Sequence, residues 1–123
     1  MRVLLDTNFI LECVKNKIDL SELEIYGNII LPVQVYSELQ LISLDSRQKE
    51  KDKKIARLAL QIIEERRFDK TSLGNEKVDD GIVNYVRRNE NIIVATLDKE
   101  SKDRLDGISK TLTIRNKKKI VLL

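Results

Sequence analysis

Arg2-Val3-Leu4-Leu5-Asp6-Thr7-Asn8-Phe9-Ile10-Leu11 is the stretch that decides the fold. Three consecutive apolar residues, Val3 to Leu5, suit a short strand buried on both faces, as in a parallel sheet. Asp-Thr-Asn are helix-capping residue types, and Phe9, Ile10, Leu11 and Val14 then recur at helical spacing. The strand ends where a helix begins, with the Asp6 carboxylate at the junction. In open α/β sheets, ligands bind beyond the carboxyl ends of the strands. Asp6 therefore has two readings: a helix cap, or a group placed where this fold class does its chemistry.

Two further stretches repeat that grammar. Ile29-Ile30-Leu31 is a second apolar strand, followed by Pro32 and then by Val35, Leu39 and Ile42 at helical spacing. Ile92-Ile93-Val94-Ala95 is a third, ended by Thr96-Leu97-Asp98 and followed by a short helix from Lys99 to about Leu105. Between them, Ile55, Leu58, Ala59, Ile62 and Ile63 mark a long amphipathic helix. Another helix is expected from Asp79 through Arg88. Asp19 to Leu23 reads as a short helical piece. Ser43 to Arg47 reads as a loop, and Lys70 to Lys77 as a polar connection. Thr111–Ile114 and Lys119–Leu122 form a closing hairpin around Arg115-Asn116-Lys117-Lys118. This alternation predicts an α/β domain with a mostly parallel central sheet and helices on both faces. At 123 residues, one domain over 1–123 is expected.

Histidine is absent from the chain. That excludes Ser-His-Asp and Cys-His catalysis, His-ligated zinc and a histidine general base. The single cysteine, Cys13, lies in an apolar helical context that suits the core. No apolar run approaches the ~20 residues of a membrane span, so a cytoplasmic location is expected.

Lys and Arg number 23 against 20 Asp and Glu, and the excess is clustered. Lys51, Lys53, Lys54 and Arg57 lie at the start of the long helix, and Lys117 and Lys118 in the hairpin turn. Both clusters suit a polyanionic partner; they also suit a solvated helix face and a solvated turn.

The acids have a pattern of their own. Asp6 and Asp98 each follow a short apolar strand. Glu38 lies two helical turns after Leu31, and Asp79 and Asp80 open a helix. In a parallel sheet the strand C-termini share one edge, so these carboxylates can converge. Bare like charges in contact oppose folding, whereas a hard divalent cation such as Mg²⁺ or Mn²⁺ relieves them. One or two such ions support phosphoryl chemistry that needs no histidine.

These residues, in order and across essentially the whole chain, resemble the four acidic motifs of the PIN-domain ribonucleases. The motifs are Asp6-Thr7-Asn8, Glu38, Asp80 in Asp-Asp-Gly-Ile-Val, and Asp98 in Ala-Thr-Leu-Asp. The resemblance implies a stand-alone three-layer α/β/α domain and a Mg²⁺- or Mn²⁺-dependent endoribonuclease. It makes Asp6, Glu38, Asp80 and Asp98 the metal ligands or water activators, with Asn8 and Thr96 as supporting residues. Capping then falls to Thr7 or Asn8. Motif alignment selects Asp80 as the third acid; helical phase places Asp79 with Ile82, Val83 and Val86, so Asp79 is kept as a cap or second ligand.

RNA is the implied partner, bound through Lys51, Lys53, Lys54, Arg57, Lys117 and Lys118. A homodimer, an antitoxin or a ribosome-assembly partner are the protein partners the family offers. The lysine-rich helix start and the closing hairpin resemble the ribosomal RNA-processing subgroup more than the toxins of toxin–antitoxin pairs. A catalytically inactive RNA-binding or scaffold module is the non-enzymatic alternative, against which stands the retention of all four acids. A haloacid-dehalogenase-type phosphatase needs an aspartate where Asn8 stands. A phospho-accepting receiver needs its paired acids after the first strand, not at a late helix.

Overall fold

A computed structural model describes residues 1–123. Six strands form one sheet: β1 Arg2–Leu5, β2 Asn28–Pro32, β3 Asp69–Thr71, β4 Ile92–Ala95, β5 Lys110–Arg115 and β6 Lys119–Leu122. Their order is β3-β2-β1-β4-β5-β6, and every pair is parallel except the β5–β6 hairpin. The helices are α1 Thr7–Lys15, α2 Val33–Leu44, α3 Glu50–Arg66, α4 Val78–Arg88 and α5 Lys99–Leu105, with a 3-10 turn at Leu20–Ile25.

The pleat divides the apolar residues between two helical layers. Val3 and Leu5 of β1, Ile29 and Leu31 of β2, and Ile93 and Ala95 of β4 pack in a core with Phe9, Ile10, Leu39, Ala59 and Ile63 from α1 to α3. Leu4, Ile30 and Val94 point to the other face, against Ile82, Val83 and Val86 of α4 and Leu105 of α5. Successive strand residues face opposite sides, so a strand covered on both must be apolar throughout. Val3, Leu4 and Leu5 are fully buried, and each such side chain contributes roughly 1.5–3 kcal/mol relative to exposure. The architecture is the three-layer α/β/α arrangement expected from the apolar runs.

Two close approaches set the geometry around this frame. Gly27 precedes β2 at φ +152°, where a Cβ would collide with the main-chain carbonyl of Met1. Asn28 N–H donates to that same carbonyl at 3.1 Å, which holds the start of β2 against β1. Gly81 lies in the first turn of α4, where a Cβ would stand 2.8 Å from Leu73 Cβ. Leu73 is itself fixed: its N–H donates to Gln34 Oε1 at 3.0 Å, and Gln34 Nε2 donates to Gly74 O at 2.8 Å. Gly81→Ala is therefore expected to destabilise by about 1–3 kcal/mol, the scale of overpacking. The gain in helix propensity, about 1 kcal/mol, does not offset it, because the clash is with a Cβ and not with a flexible side-chain end. A fall in Tm by thermal melting checks this.

Two sequence expectations change. The polar connection at Lys70–Lys77 contains most of an edge strand: β3 pairs Asp69, Lys70 and Thr71 with Ile30, Leu31 and Pro32. Main-chain pairing to β2 makes it a strand, although its side chains carry no apolar signal. The loop expected from Ser43 starts later, since α2 continues to Leu44 and the Ser43 hydroxyl donates to Gln40 O at 2.7 Å.

Candidate active site

Strand order reverses direction between β1 and β4, and there the two loops leaving the sheet diverge. In open α/β sheets such a switch point, at the carboxyl edge, is where a crevice forms. Asp6 leaves β1 at this point and Thr96 leaves β4. Asp6 N–H donates to Ala95 O at 3.0 Å, and Thr96 N–H to Leu112 O at 3.1 Å, so the sheet ladder sets both residues.

Asp6 is 6 % exposed and both its oxygens are engaged. Oδ1 accepts the Thr7 main-chain N–H at 2.8 Å, and Oδ2 accepts the Thr96 hydroxyl at 2.8 Å. Asp6 is thus the N-cap of α1. This corrects the expectation that Thr7 or Asn8 would cap: the residue with β backbone angles at the junction is Asp6, so its carboxylate meets the first helical N–H. Burial pushes the Asp6 carboxyl above its ordinary value. The two hydrogen bonds oppose that, and the charges of Asp79 and Glu38 add to the rise.

Thr7 has a role that the sequence did not signal. Its hydroxyl donates to Glu38 Oε2 at 2.6 Å, tying α1 to α2 across the mouth of the crevice. Asp98 caps α5, accepting the Ser101 hydroxyl at 2.8 Å and the Ser101 N–H at 3.3 Å. Thr96 Oγ1 also accepts the Asp98 N–H at 3.2 Å, so one hydroxyl positions both strand-end aspartates. Asn8 lines the crevice, and no hydrogen bond joins it to a carboxylate.

The crevice is a cleft of about 490 Å³. Its acids are Asp6, Glu38, Asp79, Asp98 and Glu100, and Thr7, Asn8 and Leu97 complete its lining. The structure brings Asp79 here and not Asp80. Asp80 points aside and accepts from Arg104 Nη1 at 2.8 Å, pairing α4 with α5. Helical phase explains the difference, since one residue is about 100° of turn. Glu100 joins the cleft because it lies in the first turn of α5, a position open to any residue and so invisible as a motif.

No lysine or arginine lines this cleft; the charge of Lys102, whose ammonium donates to Thr113 Oγ1 at 2.8 Å, reaches Asp98 from outside it. An all-oxygen, acid-rich donor set of this kind fits a hard divalent cation. In the side-chain positions seen, no three acids are placed to hold one ion together. Asp6, Glu38 and Asp98 are each turned to a neighbouring hydroxyl or amide. The acids converge on one cleft, then, but not on a finished coordination sphere.

The basic residues divide. Lys53 donates to Glu50 at 3.2 Å, and Arg57 lies 3.9 Å from Glu50 while donating to Ser43 O at 3.4 Å. Lys51 and Lys54 carry no such pairing and line a groove between α1 and α3. Lys117 and Lys118 are exposed in the hairpin turn at the carboxyl edge of β5, the same edge as the acid cleft. Cys13 is fully buried, and burial with Glu22 and Glu12 nearby pushes its thiol up to about 12, which keeps it a core residue. No helix is long and apolar enough to cross a membrane.

A mostly parallel sheet of this order, with acids gathered at its switch point, defines an α/β domain, and comparison with known proteins gives its family. The family model described as PIN like domain matches residues 3–117, and the chain belongs to that family. It is 33% identical to ribonuclease VapC4 of Methanocaldococcus jannaschii over 95% of this chain and 92% of that protein. The structure of the PIN domain endonuclease Utp24 superposes with a TM-score of 0.79 at 28% identity, covering 98% of this chain and 90% of that one.

Proposed function

We propose that the protein is a Mg²⁺- or Mn²⁺-dependent endoribonuclease whose active site is the acid cleft. The observation that carries this is the set of carboxylates gathered at the switch point in a cleft lined by no base, with Asp6 buried among them. Similarity to one protein named a ribonuclease and another named an endonuclease supports RNA as substrate and internal cleavage as the reaction.

Asp6, Glu38, Asp79 and Asp98 would hold the cation, and Glu100 borders them. When bound, such an ion makes water a nucleophile near neutral pH and stabilises charge on a phosphoryl group. The chain's own residues do the rest. Thr96 fixes Asp6 and the main chain of Asp98 through one hydroxyl, so two acids from different strands keep a common geometry. Thr7 restrains Glu38. Carboxylates that no lysine or arginine salt-bridges within the cleft remain acceptors for the proton of an attacking water. Lys117 and Lys118 stand on the same edge and favour approach of a polyanion.

Among cellular roles we take ribosomal RNA processing, the subgroup that the α3 lysines and the hairpin resemble. Normal growth on expression, with cleavage of a structured precursor RNA, fits that role. Growth arrest relieved by the product of an adjacent gene would assign the toxin role.

The test is cleavage of RNA by the full chain in EDTA, Mg²⁺ and Mn²⁺, read beside thermal melting. Cleavage only with a divalent ion, and a Tm that rises with its concentration as mass action requires, is the expected result. Equal cleavage in EDTA, or a Tm indifferent to both ions, would overturn the metal reading.

A further inference from the structure

The acid cleft does not end at Asn8 and Leu97. Those two residues also line a second cavity of about 370 Å³, which continues between α1 and α3. Lys15 and Ile55 at its far side line in turn a third of about 660 Å³. The three are neighbouring clefts, each sharing two lining residues with the next, and they lie in line as a trough from the acids along the α1–α3 seam. From Asn8 to Lys15 it runs about 10 Å, at 1.5 Å per helical residue.

The trough changes sign along its length. Its middle carries Glu12 and Asp52 beside Lys15. Its far section is lined by Lys15, Lys17, Lys51 and Lys54 and by no acid at all. None of these four lysines forms an ion pair; the six pairs in the protein involve other bases. Val14, Ile55 and Leu58 make the floor, on which lysine stems can lie while their ammonium groups stay free.

Lys17 adds an independent observation. It follows α1 in the left-handed region, at φ +58°. Ile18 N–H donates to Cys13 O at 2.8 Å and Lys17 N–H to Val14 O at 3.2 Å, the paired bonds of a Schellman cap. Glycine is the residue that takes this position without strain. A lysine here gives up local stability and places a cation on the rim of the groove.

We propose that Lys15, Lys17, Lys51 and Lys54 form a phosphate-binding subsite for a single RNA strand leaving the acid cleft along this trough. The inference rests on the acid cleft's being an RNA-cleaving site. Continuity with that cleft and a row of unpaired cations favour a phosphodiester backbone over a protein segment. Aromatic residues do not line the groove, so the subsite holds backbone without reading bases by stacking.

The experiment measures single-stranded RNA binding to the full chain in EDTA, across a range of salt. For K51Q/K54Q, affinity at low salt should fall on the order of tenfold, and the log–log salt slope should shrink by about 0.7 for each lost contact. Lys17→Gly should bind RNA more weakly while its Tm rises, which a merely structural lysine would not do. R87Q/R88Q removes the same charge at the far end of α4 and should leave affinity almost unchanged. Equal RNA binding by wild type and K51Q/K54Q overturns the subsite but leaves RNA hydrolysis at the acid cleft standing. Equal losses in K51Q/K54Q and R87Q/R88Q also overturn it, in favour of net charge alone. If wild type binds no RNA at any salt and an acidic amphipathic peptide binds through Lys51 and Lys54, the groove is a protein-docking site, and the RNA reading falls with it.

Discussion

Asp6→Asn is expected to abolish divalent-dependent RNA cleavage while leaving the protein folded, with a Tm equal to or above that of the wild type. The activity loss should be about 10²-fold or more, the scale of removing one preorganised electrostatic group. Stability moves the other way because of where Asp6 sits. Asp6 is 6 % exposed, and burial raises its pKa, with Asp79 and Glu38 adding to the rise. A raised folded-state value means that the fold favours the protonated form. The associated stability is present in acid and is lost as pH rises through the folded value. At neutral pH the ionised group is a cost, and asparagine removes it. The amide oxygen can still accept the Thr7 N–H, and the amide nitrogen can donate to the Thr96 hydroxyl. The Tm advantage of the variant should narrow as pH falls below the raised value. Divalent ions should raise the Tm of the wild type and not that of the variant. Undiminished cleavage by Asp6→Asn would sink the mechanism.

Asp79→Asn and Asp80→Asn should differ sharply although the residues are adjacent. Asp79 lines the acid cleft and its charge reaches Asp6; Asp80 is paired with Arg104 on the other side of the helix. Asp79→Asn should lower kcat by about 10²-fold by removing one of the cleft's carboxylates. Asp80→Asn should leave kcat near the wild-type value. It breaks an ion pair whose side chains are 36% and 53% exposed, worth about 1 kcal/mol or less. Steady-state kinetics on one RNA, with thermal melts of both variants, decide between them. A strong kcat loss in Asp80→Asn with an active Asp79→Asn would reassign the third acid.

The same pair shows what was legible in the sequence. Helical phase aligned Asp79 with Ile82, Val83 and Val86, while the motif pointed one residue later; the geometry follows the phase. β1, β2 and β4 were legible because a strand covered on both faces has to be apolar at every position. β3 was not, because Asp69-Lys70-Thr71 is held by main-chain pairing that leaves no trace in side-chain pattern. Thr96 could be named because it ends an apolar strand. Thr7 could not: its hydrogen bond to Glu38 spans 31 positions, and only the packing of α1 against α2 creates it. The basic cluster was visible as composition. Its division into bases spent on Glu50 and lysines left free required side-chain placement.

The switch point between β1 and β4 also has a consequence in time. The hydrogen bond from Thr96 to Asp6 joins residues 90 positions apart, and β1 lies at the centre of the sheet, between β2 and β4. β1 can pair with β2 soon after both exist, but its second neighbour, β4, follows it only after four helices and two further strands. Contacts of such long sequence separation form slowly, because loop closure must precede them. Asp6 therefore precedes by a long stretch of chain the residues that bury it. It becomes part of a cleft only when Ala95 and Thr96 arrive beside it. A chain in which β4 has not docked holds Asp6 and Glu38 without Asp98 beside them, so the cleft is assembled only when the centre of the sheet closes.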